Sequence, residues 1–306
     1  MFWFIVICCI IIFFVLVSRY LSPVRLELNG SHVLITGGSS GIGKAMALYV
    51  VKHGASVTIV ARNKIKLQEA KAEIEKCLKN SQQAENNLGP VDILINNAGT
   101  SICGVFEELD KSEFQKMMDI NYIGGVYMTR AVVKSMKERN RGRIIFVSSQ
   151  AGQIGLFGYT AYSASKYALR GLGEALQMEV KPYNIYVTLA FPPDTDTPGF
   201  ALEQETKVKE TSLISETAGL LSPNDVAQKV IEDSLNGKFL SHIGIDGYLL
   251  ANITCGMSPT TSLLEFIQQV LTMSVFRLVS LFYIVKFDSI VQKCKQERES
   301  AKLKTS

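Results

Sequence analysis

The sequence predicts an α/β protein, a doubly wound parallel sheet carried behind an N-terminal membrane anchor. Three observations predict it. Short β-rich runs alternate with amphipathic stretches of helical length, as βαβ units require. A glycine-rich turn, "TGGSSGIG", falls directly between the first β run and the first helical stretch, the place where parallel sheets hold phosphates. Residues 2–17, "FWFIVICCIIIFFVLV", are apolar without a break.

The elements follow in chain order. The apolar run, extended by Tyr20 and Leu21, is slightly short for about 30 Å of hydrocarbon but workable. No Lys or Arg precedes it, whereas Arg19 and Arg25 follow it. It therefore reads as a transmembrane anchor over 1–22, not as a cleaved signal, with the bulk of the chain on the cytosolic side. Residues 25–260 read as one domain. Its β runs are "HVLITG" (32–37), "SVTIVAR" (56–62), "VDILINNAG" (91–99), "GRIIFVSS" (142–149) and "NIYVTLAFP" (184–192). Residues 262–287 are apolar but carry Glu265 and Arg277. They read as a membrane-associated segment, an interfacial helix or a hairpin rather than a second span, with a plain buried helix as the bland alternative. The tail over 288–306 is basic: from Lys286 onward there are six Lys or Arg against three acidic residues.

Composition excludes several classes. A chain of 306 residues that is 47% hydrophobic and 20% charged has a core to bury. A net charge of +4 with no arginine-rich, aromatic-interleaved patch gives no nucleic-acid footprint. Six cysteines without a CxxC read as reduced thiols, and three scattered histidines make no metal site.

Chemistry concentrates at two places. "YSASK" (162–166) sets Tyr162 and Lys166 one helical turn apart on one face. A free phenol titrates near 10 and exchanges protons poorly at neutrality. A neighbouring ammonium is expected to lower that value and make Tyr162 an acid/base. Upstream, Gly37, Gly41 and Gly43, with Ser39, Ser40 and Ile42 between them, form a turn that lets backbone amides reach a pyrophosphate. Arg62 follows nineteen residues after Gly43, where an NAD binder places an acid. With Ser39 and Lys66 it suits a 2′-phosphate, hence NADPH.

Taken together, "TGGSSGIG", "NNAG" (96–99), Asn121 in "INYIGG", "VSSQAG" and "YSASK" resemble, in order and over about residues 30–200, the motif set of the short-chain dehydrogenase/reductase family, a Rossmann-type fold. The resemblance implies roles. Tyr162 is the acid/base, and Lys166 lowers its pKa and holds the nicotinamide ribose. Ser149, thirteen residues before Tyr162, binds the substrate carbonyl; its neighbour Ser148 competes for the role, but strand alternation admits one of them and spacing favours Ser149. Asn121 holds a water in the proton path. Asn96 and Gly99 line the nicotinamide side, and Thr195 or Thr197 reaches the carboxamide. Pairing through the helix of "YSASK" implies a homodimer. Segments such as "SSQAGQIGLFGYTAYSASKYALRGLGEALQMEVKPYN" resemble a branch of the family that works in sphingolipid synthesis at the endoplasmic reticulum. That likeness implies a long-chain lipid ketone as substrate, reduced with NADPH. The competing readings are a hydroxysteroid or retinoid reductase and a non-catalytic scaffold.

One stretch departs from the family pattern. Only the 28 residues 63–90 separate Arg62 from Val91, where the family holds a helix, a third strand and another helix. The third strand is expected to be absent. A right-handed crossover would then place the one remaining helix on the opposite face and leave part of the second strand's apolar face bare.

Overall fold

A computed structural model of the chain describes residues 15, 17, 22–78, 89–216 and 219–305. The expected anchor over 1–22 lies, but for Val15, Val17 and Ser22, outside the described residues. Strand β1 (His32–Thr36) pairs on one side with β2 (Ser56–Val60) and on the other with β3 (Ile93–Asn96). Strands β4 (Gly142–Val147), β5 (Ile185–Phe191) and β6 (Leu240–His242) continue the sheet. Every pairing is parallel and the order is β2-β1-β3-β4-β5-β6. The first five strands fall inside the β runs read from the sequence. β6 has three residues, too few to show a period, and went unread.

The helices in order are α1 (Gly41–Lys52), α2 (Lys64–Leu78), α3 (Lys111–Met118), α4 (Gly124–Glu138), α5 (Thr160–Val180), α6 (Pro198–Thr206), α7 (Lys209–Ser215), α8 (Pro223–Leu235), α9 (Gly244–Ile253) and α10 (Leu263–Thr305). Strand alternation builds two cores. Ile93, Ile95, Ile145 and Val147 face α1 and α8 and join Met46, Val50, Val226 and Val230. Leu94, Ile144 and Phe146 point the other way and join Val132 and Met136 of α4 and Leu169 of α5. Both faces of β3 and β4 are thereby buried, as a doubly wound sheet requires.

No third strand lies among the described residues between β2 and β3, so β2 is an edge. Its helix is not where the crossover rule placed it. Ile74 of α2 packs into the α1 core, Cys77 lies against the same core, and Lys44 of α1 pairs with Glu73 of α2 at 2.9 Å. α2 therefore sits on the α1 side. With β2 and β3 on opposite sides of β1, the described helix after β2 thus lies on the same face as the helix before it. The cause is where β2 keeps its apolar residues. Val57 and Ile59 pack against the α1 core, while the intervening Thr58 hydrogen-bonds Nε2 of His32. The seam of α2 finds its apolar cover on that face. The expected bare apolar face is thus covered, though no residue of β2 becomes fully buried.

One uninterrupted helix of 43 residues, Leu263–Thr305, runs through both the apolar stretch and the basic tail. The Phe276 ring meets Tyr248 edge-on at 5.8 Å, Tyr283 donates to Asp246 at 3.1 Å, and Lys209 of α7 pairs with Glu297 at 2.5 Å. The helix lies along the body from about 276 to 298. Its other side exposes Leu264, Leu271, Leu278, Phe282 and Val285, and by length and composition it suffices to cross a membrane.

The placement of α2 is testable. Ile74→Ala is expected to cost about 2–4 kcal/mol, a fall in melting temperature of roughly 5–10 °C. Ile65→Ala, at an exposed position of the same helix, is expected to cost under about 0.5 kcal/mol. Equal, negligible effects in thermal melts would mean that α2 does not dock on α1.

Candidate active site

A cavity of about 1830 Å³ crosses the C-terminal ends of the strands. Arg62 and Lys66 line its end beside β2, and α9 and α10 line its other end. Every residue read from the sequence as catalytic or cofactor-binding lines it, except Gly43.

The glycine turn opens the cavity. Gly37 and Gly41 have φ of +69° and +54°, a region that penalises a side chain. Gly43 supports the turn from below: a Cβ there would come within 2.4 Å of the Asn97 amide nitrogen and 2.5 Å of the Gly37 oxygen. Asn97 is the clamp that sequence reasoning missed. Its side-chain amide donates to the carbonyls of Thr36 (3.1 Å) and Gly37 (3.3 Å), and its backbone N–H donates to the Thr36 hydroxyl at 3.0 Å. The signal was present, since Asn97 is the second residue of "NNAG", but the roles went to its neighbours Asn96 and Gly99.

These residues fit a dinucleotide. Ser40, at the start of α1, makes no side-chain cap, and the first turn holds no acid. The N–H groups and the positive end of the helix dipole are left for an anion. Asn96 donates to Thr129 at 3.2 Å, yet its buried Oδ1 has no partner and borders the cavity. The basic pair Arg62 and Lys66 is exposed beside the turn.

The reacting centre forms where β3 and β4 end against α5. Ser149 lies near enough to the Tyr162 hydroxyl to lower its pKa, while Ser149 Oγ accepts from the Ala151 N–H at 3.2 Å. Ser148 donates to the Lys166 carbonyl at 3.1 Å. Lys166 is buried and its ammonium donates to the Val147 carbonyl at 3.0 Å. Burial pushes its pKa down to about 8.

The expectation that Lys166 lowers the pKa of Tyr162 is corrected here. Burial holds the phenol above its ordinary value, and the charges of Glu203 and Asp194 raise it further. Ser149 opposes them, and Lys166, 5.7 Å from the ring centroid, is not among the causes. An ammonium pointed at a carbonyl, and itself disfavoured by burial, acts weakly on the phenol.

Asn121 sits in a π-helical turn, Asp119–Ile123, between α3 and α4, a distortion common at functional sites. It exchanges two hydrogen bonds of 2.9 Å with the backbone of Thr100 and donates to Ser165 Oγ at 2.9 Å. Ser165 donates in turn to the Tyr162 carbonyl at 2.7 Å. Gly99 allows the close approach: a Cβ there would lie 3.1 Å from Asn121 Oδ1 and 3.4 Å from the Lys166 ammonium. Thr195 donates to the Pro193 carbonyl at 2.8 Å, and Thr197 caps α6 by accepting from the Phe200 N–H at 3.1 Å. A further group, Tyr159, Asp194, Glu203 and Lys207, lies beside Tyr162 and carried no sequence signal.

A family model described as short chain dehydrogenase matches residues 31–207. The chain belongs to the short-chain dehydrogenases. A zebrafish (Danio rerio) 3-dehydrosphinganine reductase is 56% identical over 309 positions, covering 94% of this chain and 93% of the relative. A cattle (Bos taurus) 3-ketodihydrosphingosine reductase is 54% identical, covering 95% and 93%. Since 309 aligned positions exceed the chain's 306 residues, the alignment to the zebrafish protein carries gaps on this chain's side. A solved short-chain dehydrogenase from Streptomyces avermitilis superposes with a TM-score of 0.60 at 27% identity, covering 72% of this chain and 90% of its own. The family membership implies a nicotinamide cofactor, in agreement with the fit above.

The turn's packing predicts a paired result. Gly43→Ala and Asn97→Ala are each expected to weaken binding of the dinucleotide at least about tenfold. Gly171→Ala, on α5 where a Cβ meets nothing within 4 Å, is expected to leave it unchanged. Fluorescence titration of the three variants, with circular dichroism as the folding control, measures this.

Proposed function

We propose that the chain reduces the ketone of 3-ketodihydrosphingosine, a long-chain amino ketone, to the secondary alcohol with NADPH, at the endoplasmic reticulum membrane with the site facing the cytosol. The observation that carries this reading is identity above 50% over more than nine-tenths of relatives that bear that activity in their names. The constellation of Ser149, Tyr162 and Lys166 supports it, because a scaffold descended from an enzyme has no need to keep it. Arg62 and Lys66, with no acid beside them, support NADPH over NADH. The inner side of α10 gives Tyr283, Ile284 and Phe287 to the cavity wall. Apolar side chains in that wall suit a hydrocarbon substrate, and among such substrates the relatives' names favour the amino ketone. Arg19 and Arg25, after the apolar run, support the orientation.

The bound cofactor supplies hydride to the carbonyl carbon. The chain's residues manage the oxygen. Tyr162, its pKa held up by burial, keeps its proton at neutral pH and donates it to the oxygen as negative charge develops there. Ser149 hydrogen-bonds the same oxygen and holds it against Tyr162. Lys166 carries positive charge beneath the site, and Asn121 fixes the loop that brings Thr100 and Gly99 close to it.

Tyr162→Phe is expected to abolish NADPH oxidation in detergent micelles with 3-ketodihydrosphingosine, and Ser149→Ala to lower kcat by about 10²–10³. The pH dependence has a definite sign. Lys166 is charged below about 8, so kcat/KM for NADPH, which reports the free enzyme, falls above that pH by about tenfold per unit. Tyr162 stays protonated throughout this range. No turnover by the wild-type chain, where the zebrafish protein works in the same assay, would refute the reading.

A further inference from the structure

Beside the reacting hydroxyl lies an ion-pair network that proton donation leaves unused. The ring of Tyr159 meets that of Tyr162 edge-on at 5.3 Å, and its hydroxyl hydrogen-bonds Glu203 Oε1. Lys207, its side chain wholly buried, reaches the same oxygen at 3.4 Å and Asp194 Oδ2 at 3.3 Å. Asp194 and Glu203 both line the cavity.

The charges do not balance. Within this network two carboxylates face one ammonium, so the patch itself carries a net negative charge, on the cavity side away from the Lys166 ammonium that donates to the Val147 carbonyl. Both described contacts of Glu203 fall on Oε1, so Oε2 remains for a ligand. Burial already pushes the Asp194 carboxyl up, a sign that the site holds its second negative charge at a cost. A cation entering the cavity would complete the network. An amino ketone carries such a cation on the carbon adjacent to its carbonyl, within one side chain's reach of the oxygen that Tyr162 protonates. Most ketones do not.

We propose that Glu203, positioned by Tyr159 and Lys207 and assisted by Asp194, binds the substrate ammonium and so selects α-amino ketones over neutral ketones of the same chain length. This rests on the reading of an amino ketone as substrate. It also couples recognition to chemistry. Glu203 and Asp194 hold the Tyr162 proton more tightly, and an ammonium between them relieves that hold, so the donor becomes more acidic once the right substrate is seated.

The test is calorimetric titration of the full chain, loaded with NADP⁺ in micelles, against dihydrosphingosine and its des-amino analogue, octadecane-1,3-diol. The wild type is expected to bind the amine at least about tenfold more tightly, as a charge-assisted hydrogen bond allows. Glu203→Gln keeps an acceptor for Tyr159 and removes only the charge. It is expected to weaken the amine about tenfold and the diol less than about threefold, with Glu203→Asp recovering part of the difference. Equal wild-type affinity for the two ligands, or an equal loss for both in Glu203→Gln, would overturn the proposal. Turnover of the amino ketone is measured on the same preparation. Turnover without amine preference sinks the role of Glu203 and keeps the reductase. Amine preference that Glu203→Gln erases, without turnover, keeps the ammonium site and sinks the reductase.

Discussion

The burial of one lysine organises the reacting centre. Lys166 lies inside the protein with its ammonium against the Val147 carbonyl, and a pKa pushed down to about 8 shows that burial opposes its charge. A buried cation persists only where neighbours over-determine its place. Here Ser148 ties the Lys166 carbonyl to the end of β4. Gly152 admits the approach, since a Cβ there would strike the Ser148 hydroxyl at 2.4 Å and the Lys166 oxygen at 3.0 Å. With α5 fixed at this point, Tyr162 one turn earlier faces Ser149, and Ser165 between them meets Asn121. The small residues of "YSASK" are therefore structural conditions for the large ones.

The same burial sets the protonation state of the phenol. Burial and the two carboxylates beside it hold Tyr162 above its ordinary value, so it keeps its proton at neutral pH. The lysine that the spacing nominated as its tuner is turned toward a carbonyl instead. Proximity along a helix face says that two groups are neighbours; the field each feels depends on the strands and loops packed over them, which spacing does not describe.

The division between what the sequence disclosed and what it withheld follows that line. The strands β1 to β5 and the gathering of the glycine turn, Asn121, Ser149, Tyr162 and Lys166 at one cavity were legible, because each depends on local period or on a contiguous motif. The absence of a third strand among the described residues matches a simple shortage of residues between Arg62 and Val91. The side on which α2 lies was not legible, because it turns on which face of β2 carries Val57 and Ile59 and on what waits there to cover them. Asn97 was overlooked within a recognised motif, since its bonds run to Gly37, sixty residues away. Glu203 and Lys207 were invisible for the same reason: they act on α5 from α6 and the turn after it, and no periodicity links them to Tyr162.

The C-terminal helix shows how one element can serve two solvents. The helix packs along the body through Tyr283, Glu297 and Arg298. Yet its free side exposes Leu, Phe and Val over several turns, more contiguous apolar surface than a water-facing helix usually carries. Its inner side meanwhile borders the cavity that holds Tyr162. One helix is thereby a wall of the cavity on one side and an apolar surface on the other, and its thickness of about 10 Å separates the two.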